Sequence, residues 1–240
     1  MANGHERERA LIPAMRRGGR GTDYRVGVTR STAHPPDTPA RQAALPALIL
    51  AAVIVTLVVP QFFPADGGPT GFDTALDGHI HSSFDGHQWL YRVLVAPSNN
   101  YIAIPLQLGS AVWFAYRRQW WATGFMIIGP EFAILVNTFA LKPFWDRQLH
   151  HYLAYPSGHT VQLVAIVTAL ALVSASTRAR ITLVVGMAVV LPAVLVGMVG
   201  LGYHHPTDVI GGTAAAVAMV TALYLPWRYL ALTRTPPPPR

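Results

Sequence analysis

The sequence predicts an all-α membrane protein: a bundle of six transmembrane helices with a short interfacial helix in its first outer loop. Three observations lead to this fold class. Hydrophobic residues make up 52% of the 240 residues and charged residues only 12%, whereas soluble domains carry about 25% charged residues. Six apolar segments are long enough to cross about 30 Å of hydrocarbon as helices. None of them shows the period-2 alternation of a barrel strand.

The six predicted spans are apolar stretches separated by short polar gaps. They cover residues 44–63, 99–116, 122–141, 159–176, 181–203 and 207–227, which together form the membrane domain 44–227. Residues 1–43 contain eight arginines and no apolar core of signal-peptide type, so we expect a disordered basic tail there. Residues 228–240 form a second, proline-rich tail.

The distribution of basic residues predicts the orientation. An even number of spans places both termini on one side, and that side holds 15 of the 18 basic residues. Because loops rich in lysine and arginine stay in the cytoplasm, we expect a multi-pass protein of the cell membrane with both termini cytoplasmic. Membrane topology therefore accounts for the net charge of +7, and nucleic acid is not an expected partner.

The first outer loop, residues 64–98, contains the pattern of an interfacial helix. Its apolar residues recur at roughly helical spacing, and they are Phe84, Trp89, Leu90, Val93 and Leu94. Two further extracytoplasmic segments, 142–158 and 203–208, adjoin the ends of predicted spans. On this side we expect three clusters, at 142–147, 155–159 and 203–208, to converge if the helices form a bundle.

Pro156-Ser157-Gly158-His159 begins the fourth span. Ser157 stands where a helix N-cap is expected, and Gly158 permits close approach of the backbone. The N–H groups and partial positive charge of a helix N-terminus favour an anion such as phosphate. His159 then projects from the first turn. An ordinary helix cap explains this cluster equally well when it is taken alone.

His204 and Asp208 begin the sixth span and are four residues apart, so they can face the same way. A carboxylate bonded to one imidazole nitrogen fixes the tautomer and leaves the other nitrogen as a nucleophile or base. Pro206 suits the first helical turn, where its missing N–H costs nothing. A solvated helix start is the alternative explanation.

Lys142 and Arg147 follow the third span, and Lys142 is the only lysine in the sequence. These two cations can clamp phosphoryl oxygens, although basic residues also extend from helix ends to the headgroups without further function. Since all three clusters fall on one side, the combination predicts metal-independent phosphoryl transfer through a covalent intermediate. Cysteine is absent, which excludes disulfides and thiolate metal ligands.

These motifs resemble those of the type 2 phosphatidic acid phosphatase family, whose members are integral-membrane lipid phosphate phosphatases. The family has six helices and the motifs Lys-x6-Arg-Pro, Pro-Ser-Gly-His and Ser-Arg-x5-His-x3-Asp. The second motif is matched in full at 156–159. His204 and Asp208 match the end of the third, and Lys142 matches the first lysine.

The resemblance implies a role for each matched residue. His204 would attack phosphorus while Asp208 orients its ring, and His159 would protonate the leaving oxygen. Lys142, Ser157 and the Gly158 backbone would hold the phosphate. No cofactor is implied, and the expected partners are membrane lipids and a lipid phosphate substrate, either a monoester or a diphosphate of a polyprenyl lipid or glycerolipid.

Two positions depart from the family pattern. Leu149 and His150 stand where the first motif has Arg-Pro, and we expect Arg147 to substitute for that arginine in phosphate binding. Gly197 and Met198 stand where the third motif has Ser-Arg. Each lost charged donor to a transition state can lower the rate on the order of 10²–10³-fold.

Two alternatives to a lipid phosphatase remain open at this stage. The missing arginine favours a weak or inactive member that binds lipid phosphate or serves as a membrane assembly subunit. A metal protein is the other alternative, since imidazole and carboxylate ligands can hold zinc. The lipid, the choice between mono- and diphosphate, and the oligomeric state are not predicted.

Overall fold

The computed structural model describes residues 39–84 and 86–233. These residues form helices, turns and one short hairpin, so the protein is all-helical as predicted. The α-helices are α1 (Pro39–Val58), α2 (Gly71–Phe84), α3 (Gln88–Val95), α4 (Asn100–Tyr116), α5 (Trp120–Val136), α6 (Lys142–Trp145), α7 (Gly158–Val173), α8 (Thr177–Gly200) and α9 (Pro206–Thr233). The antiparallel hairpin strands are β1 (Gln148–Leu149) and β2 (Tyr152–Leu153).

Four described helices are long and apolar enough to cross a membrane. They are Ala43–Phe62, Trp120–Trp145, Thr177–Gly200 and Pro206–Ala231. The other two predicted spans correspond to α4 and α7, which have 17 and 16 residues. Because 16 helical residues extend only about 24 Å, the structure supports a membrane protein through four helices, and the number six stays a prediction.

Helix boundaries differ from the predicted ones at several ends. α8 begins at Thr177 rather than at 181, because Ser176 Oγ accepts a hydrogen bond from the Ala179 N–H at 3.4 Å and caps the helix there. α1 begins at Pro39 and α9 continues to Thr233, so each includes residues predicted as tail. The predicted disordered segment otherwise lies outside the described residues, as do residues 234–240.

The predicted interfacial helix is divided into two helices. Phe84 ends α2, and Gly86, with a φ of 93°, turns the chain before α3 begins. Glycine adopts this positive φ readily because it has no Cβ. Since an α-helix requires a negative φ, the chain leaves the helical conformation at Gly86. Trp89 and Val93 lie on an exposed face of α3.

The other face of α3 packs against the end of α8. Tyr91 and Val95 are buried there. A Cβ on Gly197 would lie 2.6 Å from the Val95 backbone nitrogen, so only glycine permits this contact. Helix α3 is therefore part of the helical packing and not only a surface segment.

Helix α7 packs against α4, α5, α8 and α9. Its apolar residues point in every direction, which is typical of a buried helix. On its neighbours, Phe125 of α5 and Tyr224 of α9 pack edge to face, with ring centroids 5.4 Å apart. The N-terminus of α7, which begins at Gly158, lies beside the start of α9, where the Ser157 N–H donates to the Asp208 carbonyl at 3.0 Å.

Helix α5 reaches Lys142 through one turn of π-helix, Asn137–Leu141. The Lys142 N–H donates to the Asn137 carbonyl, five residues back. Such a turn accommodates one additional residue and changes the direction of the side chains that follow, and it occurs often at functional sites. Lys142 is thus placed at the end of the span by a local irregularity.

We expect Gly212→Ala to destabilise the protein. A Cβ at this position of α9 would lie 2.8 Å from the Ser157 carbonyl oxygen and 3.1 Å from Thr160 Cβ. Overpacking of this kind costs about 1–3 kcal/mol. Thermal unfolding in detergent should show a lower midpoint.

Gly186→Ala in α8 is the matched control, because a Cβ there would meet no atom within 4 Å. Its midpoint should stay near that of the wild type. Equal midpoints for both variants would contradict the close contact between α9 and the start of α7.

Candidate active site

A cavity of about 630 Å³ opens at the end of the bundle where the three motifs meet. Four predicted site residues line it: Lys142, Gly158, His159 and His204. The remaining lining residues are Asn99, Asn100, Ile134, Tyr152, Gln162 and Tyr203. Lys142 is the one cationic side chain in this lining, and no carboxylate belongs to it. The wall is therefore suited to an anion.

The two motif histidines both line this cavity and meet edge to face. Their ring centroids are 6.2 Å apart and the rings are inclined by 73°. Tyr203 stacks on His159 with 16° between the planes, and Tyr152 meets His204 edge to face at 5.9 Å. The aromatic contacts limit rotation of both imidazoles.

Ser157 caps α7 as predicted. Its Oγ accepts hydrogen bonds from the Thr160 N–H at 3.4 Å and from Thr160 Oγ1 at 3.0 Å. The side chain is fully buried and is not part of the cavity lining. At the predicted anion site, Gly158 therefore lines the cavity, whereas the Ser157 hydroxyl caps the helix.

Lys142 connects the cavity to the hairpin. Its Nζ donates a hydrogen bond to the Leu153 carbonyl of β2. A Cβ on Gly158 would lie 3.9 Å from Lys142 Cε, so the ammonium stem passes close to the start of α7. Lys142 therefore lies beside the N-terminus of α7, and its role in phosphate binding stays a prediction.

Asp208 stands behind His204, away from the cavity lining. Its Oδ2 is 3.6 Å from His204 Nδ1 and accepts the His205 N–H at 2.9 Å. The 3.6 Å separation is longer than a hydrogen bond, and His204 Nδ1 has no other partner among the described residues. Catalytic hydrogen bonds are often long in sites without substrate and shorten when it binds.

Arg147 does not line the cavity, which corrects its predicted role as a phosphate ligand. Its side chain is fully buried and its five N–H donors are used within the protein. Nη1 donates to Thr207 Oγ1 at 2.7 Å and to Asp208 Oδ1 at 2.8 Å. Nε and Nη2 donate to the carbonyls of Gly67 and Gly68.

The remaining Arg147 donor binds Asp73 of α2, Nη2 to Oδ2 at 3.1 Å. Asp73 is fully buried and also accepts the Thr207 N–H at 2.8 Å and the Thr207 hydroxyl at 2.9 Å. It forms a capping box with Thr70, since each side chain accepts the backbone N–H of the other. One carboxylate thus caps its own helix and the start of α9.

The pKa of Asp73 lies below its ordinary value. Burial alone would raise it, but hydrogen bonds from the N–H of Thr70, the N–H and hydroxyl of Thr207, and the Arg147 guanidinium favour the charged form and prevail. For His205, burial is the largest cause and lowers the pKa despite the nearby carboxylates. Asp73 is therefore the ionised partner that Arg147 requires.

The family model of the PAP2 superfamily matches residues 78–231, which is more than half of the chain. The chain belongs to the PAP2 superfamily. This is a phosphatase family, so membership supports activity as a phosphoric ester hydrolase. Searches of the curated proteins and of the solved structures found no significant match.

The structure accounts for one departure from the PAP2 motifs. Gly197 stands in the serine position because α3 occupies the space of a side chain there. The arginine position holds Met198, which is fully buried with its sulfur 3.8 Å from Ser157 Oγ and from Thr160 Oγ1. An apolar side chain packed against the cap of α7 therefore stands where the family motif has a cation.

Sequence reasoning missed several residues at this PAP2 site. Asp73 is 134 residues from its partner Thr207, and no spacing rule connects them, although the Thr70-x-x-Asp73 pattern signals a helix start. The neutral lining residues Asn99, Asn100 and Gln162 belong to helices whose mutual packing the sequence does not give. The described residues contain no group of three or more His, Asp or Glu side chains placed to hold a metal ion.

We expect Asp73 to make the protein sensitive to acid. Its folded pKa is below the unfolded value of about 3.9, so its contribution is fully present above the unfolded pKa and is lost as pH falls through the folded pKa. Thermal midpoints measured from pH 7 down to pH 3 should fall, and Asp73→Asn should flatten that fall while lowering the midpoint at pH 7. Parallel curves for both proteins would contradict this assignment.

Proposed function

We propose that this protein is an integral-membrane lipid phosphatase that hydrolyses a phosphomonoester or diphosphate through a phosphohistidine at His204. The observation that carries the proposal is the pair of imidazoles that lie edge to face in one cavity together with Lys142 and the N-terminus of α7. We infer that His204 is the nucleophile and His159 the acid for a phosphate bound in this cavity. Two such groups held close together at one anion site suit displacement at phosphorus.

In the first step, Nε2 of neutral His204 attacks the terminal phosphorus, and the P–O bond to the leaving oxygen breaks, which is the ester bond of a monophosphate or the anhydride bond of a diphosphate. Protonated His159 gives its proton to the leaving oxygen, while Asp208 favours the proton on Nδ1 of His204. Lys142 and the backbone N–H groups at the start of α7 stabilise the charge on the phosphoryl oxygens. The products of this step are the free lipid alcohol, or a lipid monophosphate from a diphosphate, and N-phosphorylated His204.

In the second step, water attacks the phosphorus of the phosphohistidine. Neutral His159 accepts a proton from this water, the P–N bond breaks, and inorganic phosphate leaves. His204 and His159 return to their starting protonation states. No step requires a metal ion, because the charges are neutralised by Lys142 and by helix N–H groups.

An amphiphilic substrate fits the cavity lining. Beside its polar groups, the lining includes the apolar side chain of Ile134 in α5. We propose six spans with cytoplasmic termini in the cell membrane and an extracytoplasmic site, which would place the phosphate at the surface and an acyl or polyprenyl tail in the bilayer. The 15 basic residues on the terminal side support this orientation.

A weak or non-catalytic lipid phosphate binder is the second candidate. The observation that favours it is the absence of an arginine from the cavity lining, since Arg147 and Met198 are both buried elsewhere. An oriented nucleophile and acid have no use in a protein that only binds phosphate. Lipid phosphate binding without phosphate release would identify this function.

The decisive experiment is phosphate release from polyprenyl and glycerolipid phosphates in detergent, with a metal chelator present. We expect release by the wild type and none by His204→Ala. His159→Asn should lower the rate on the order of 10²–10⁴-fold for an alkyl ester. For an aryl phosphate, whose leaving oxygen needs no protonation, the loss should be small when release of the phenol is followed before the phosphohistidine is hydrolysed.

His79→Ala is the matched control, because His79 is an exposed histidine of α2, and it should retain wild-type activity. A quench in alkaline detergent with labelled substrate should trap a phosphate that is stable to base, labile to acid and absent from His204→Ala. Activity that disappears with the chelator would contradict the metal-independent reaction. Equal losses by His159→Asn in alcohol release and in phenol release, both measured in this first step, would remove its assignment as the acid.

A further inference from the structure

We propose that Arg147 and Asp73 are positioning residues that set the orientation of Asp208 and its effective charge, and through it the fraction of His204 able to attack phosphorus. The inference rests on the function proposed above. It concerns side chains that touch neither the cavity nor the reacting atoms. Their influence passes through one carboxylate.

The two oxygens of Asp208 have separate partners. Oδ1 accepts from Arg147 Nη1 at 2.8 Å, and Oδ2 faces His204 Nδ1 at 3.6 Å. Oδ2 is held further by the His205 N–H at 2.9 Å. With Oδ1 fixed by the guanidinium, rotation of the carboxylate is blocked, and Oδ2 stays toward the imidazole.

Arg147 itself is immobilised by the protein. Asp73 and the carbonyls of Gly67 and Gly68 occupy Nη2 and Nε, and the Arg147 guanidinium carbon lies 3.9 Å from the centre of the Phe63 ring. Stacking on an aromatic face and a full set of hydrogen bonds suit arginine and not lysine. The fork geometry therefore determines the position of Asp208.

The net charge of the ion group formed by Asp73, Arg147 and Asp208 determines how readily the neutral His204 imidazole takes up a second proton and becomes imidazolium. Asp73, Arg147 and Asp208 carry −1, +1 and −1, so their sum is −1. Removal of the arginine charge makes the sum −2 and favours imidazolium, which cannot attack. Removal of the Asp73 charge makes the sum 0 and favours the neutral ring. Opposite charges within about 4–6 Å shift such equilibria by one unit or more.

Other ionisable groups also face His204 and stay constant in the comparison. On the side of the main cavity and in a second cavity of about 240 Å³ behind the ring, they are Lys142, Tyr152, His159, Tyr203, Asp77, His150 and His205. Among them, Lys142 opposes imidazolium and Asp77 favours it. Because none of them changes in any variant, differences between variants report Arg147 and Asp73.

The test is the pH profile of kcat/KM for one lipid phosphate, so that ionisation of the substrate is common to all variants. Arg147→Gln should move the acid limb upward by about one pH unit, and Asp73→Asn should move it downward. The double variant returns the charge sum to −1, so its acid limb should lie near that of the wild type. Arg147→Lys should keep the acid limb and lower kcat, since it preserves charge and loses the fork.

Loss of packing alone lowers the rate at every pH and does not move the limb in opposite directions. Arg147→Gln breaks a buried pair and is expected to be destabilising, so Asp73→Asn and the double variant carry the test if that protein does not fold. Acid limbs that coincide in wild type and Asp73→Asn, or that move the same way in both single variants, would overturn the proposal.

A measurement without turnover separates this inference from the proposed function. Diethyl pyrocarbonate acylates neutral imidazole, and peptide mass spectrometry can follow its rate at His204 across pH. The same opposite shifts are expected even if wild-type protein releases no phosphate, which would defeat only the lipid phosphatase. Identical modification profiles in all four variants would overturn the positioning role whatever the activity.

Discussion

Arg147 is a fully buried cation between two buried carboxylates, and the three side chains come from distant parts of the chain. A buried charge without a partner is strongly destabilising. Helix α2, the segment after α6, and the start of α9 therefore come together only in an arrangement that pairs all three. The position of His204 follows, because it lies four residues before Asp208 on the same short segment. The position of this candidate site residue is thus a consequence of how one ion group is buried.

The lysine and the carboxylates of the site lie in different places. The cavity lining contains one lysine, two imidazoles and neutral polar groups, whereas the carboxylates are kept behind His204. An incoming anion consequently meets no negative side chain in the lining. The division also explains why Arg147 is not free to replace the missing family arginine, although it follows Lys142 closely in sequence. Its place in the sequence, soon after Lys142, suggests a phosphate ligand, but in the structure its side chain does not reach the cavity.

Much of the fold was predictable because lipid imposes helices of known length and composition. The placement of Lys142, Gly158, His159 and His204 around one cavity was predictable as well, because local capping rules and the family motifs both apply there. The role of Arg147 was not, since basic residues at helix ends have several uses and only tertiary packing selects one. Asp73 was missed for the same reason: its capping pattern is local, but its partners are distant.

The π-helical turn at Asn137–Leu141 has an evolutionary consequence. The turn contains one residue more than a regular α-helix would need between the span and Lys142. A relative that lost this residue could keep its lysine in the same place by making the turn regular. Length variation by a single position is therefore expected here among related sequences, without any change in the chemistry that follows it.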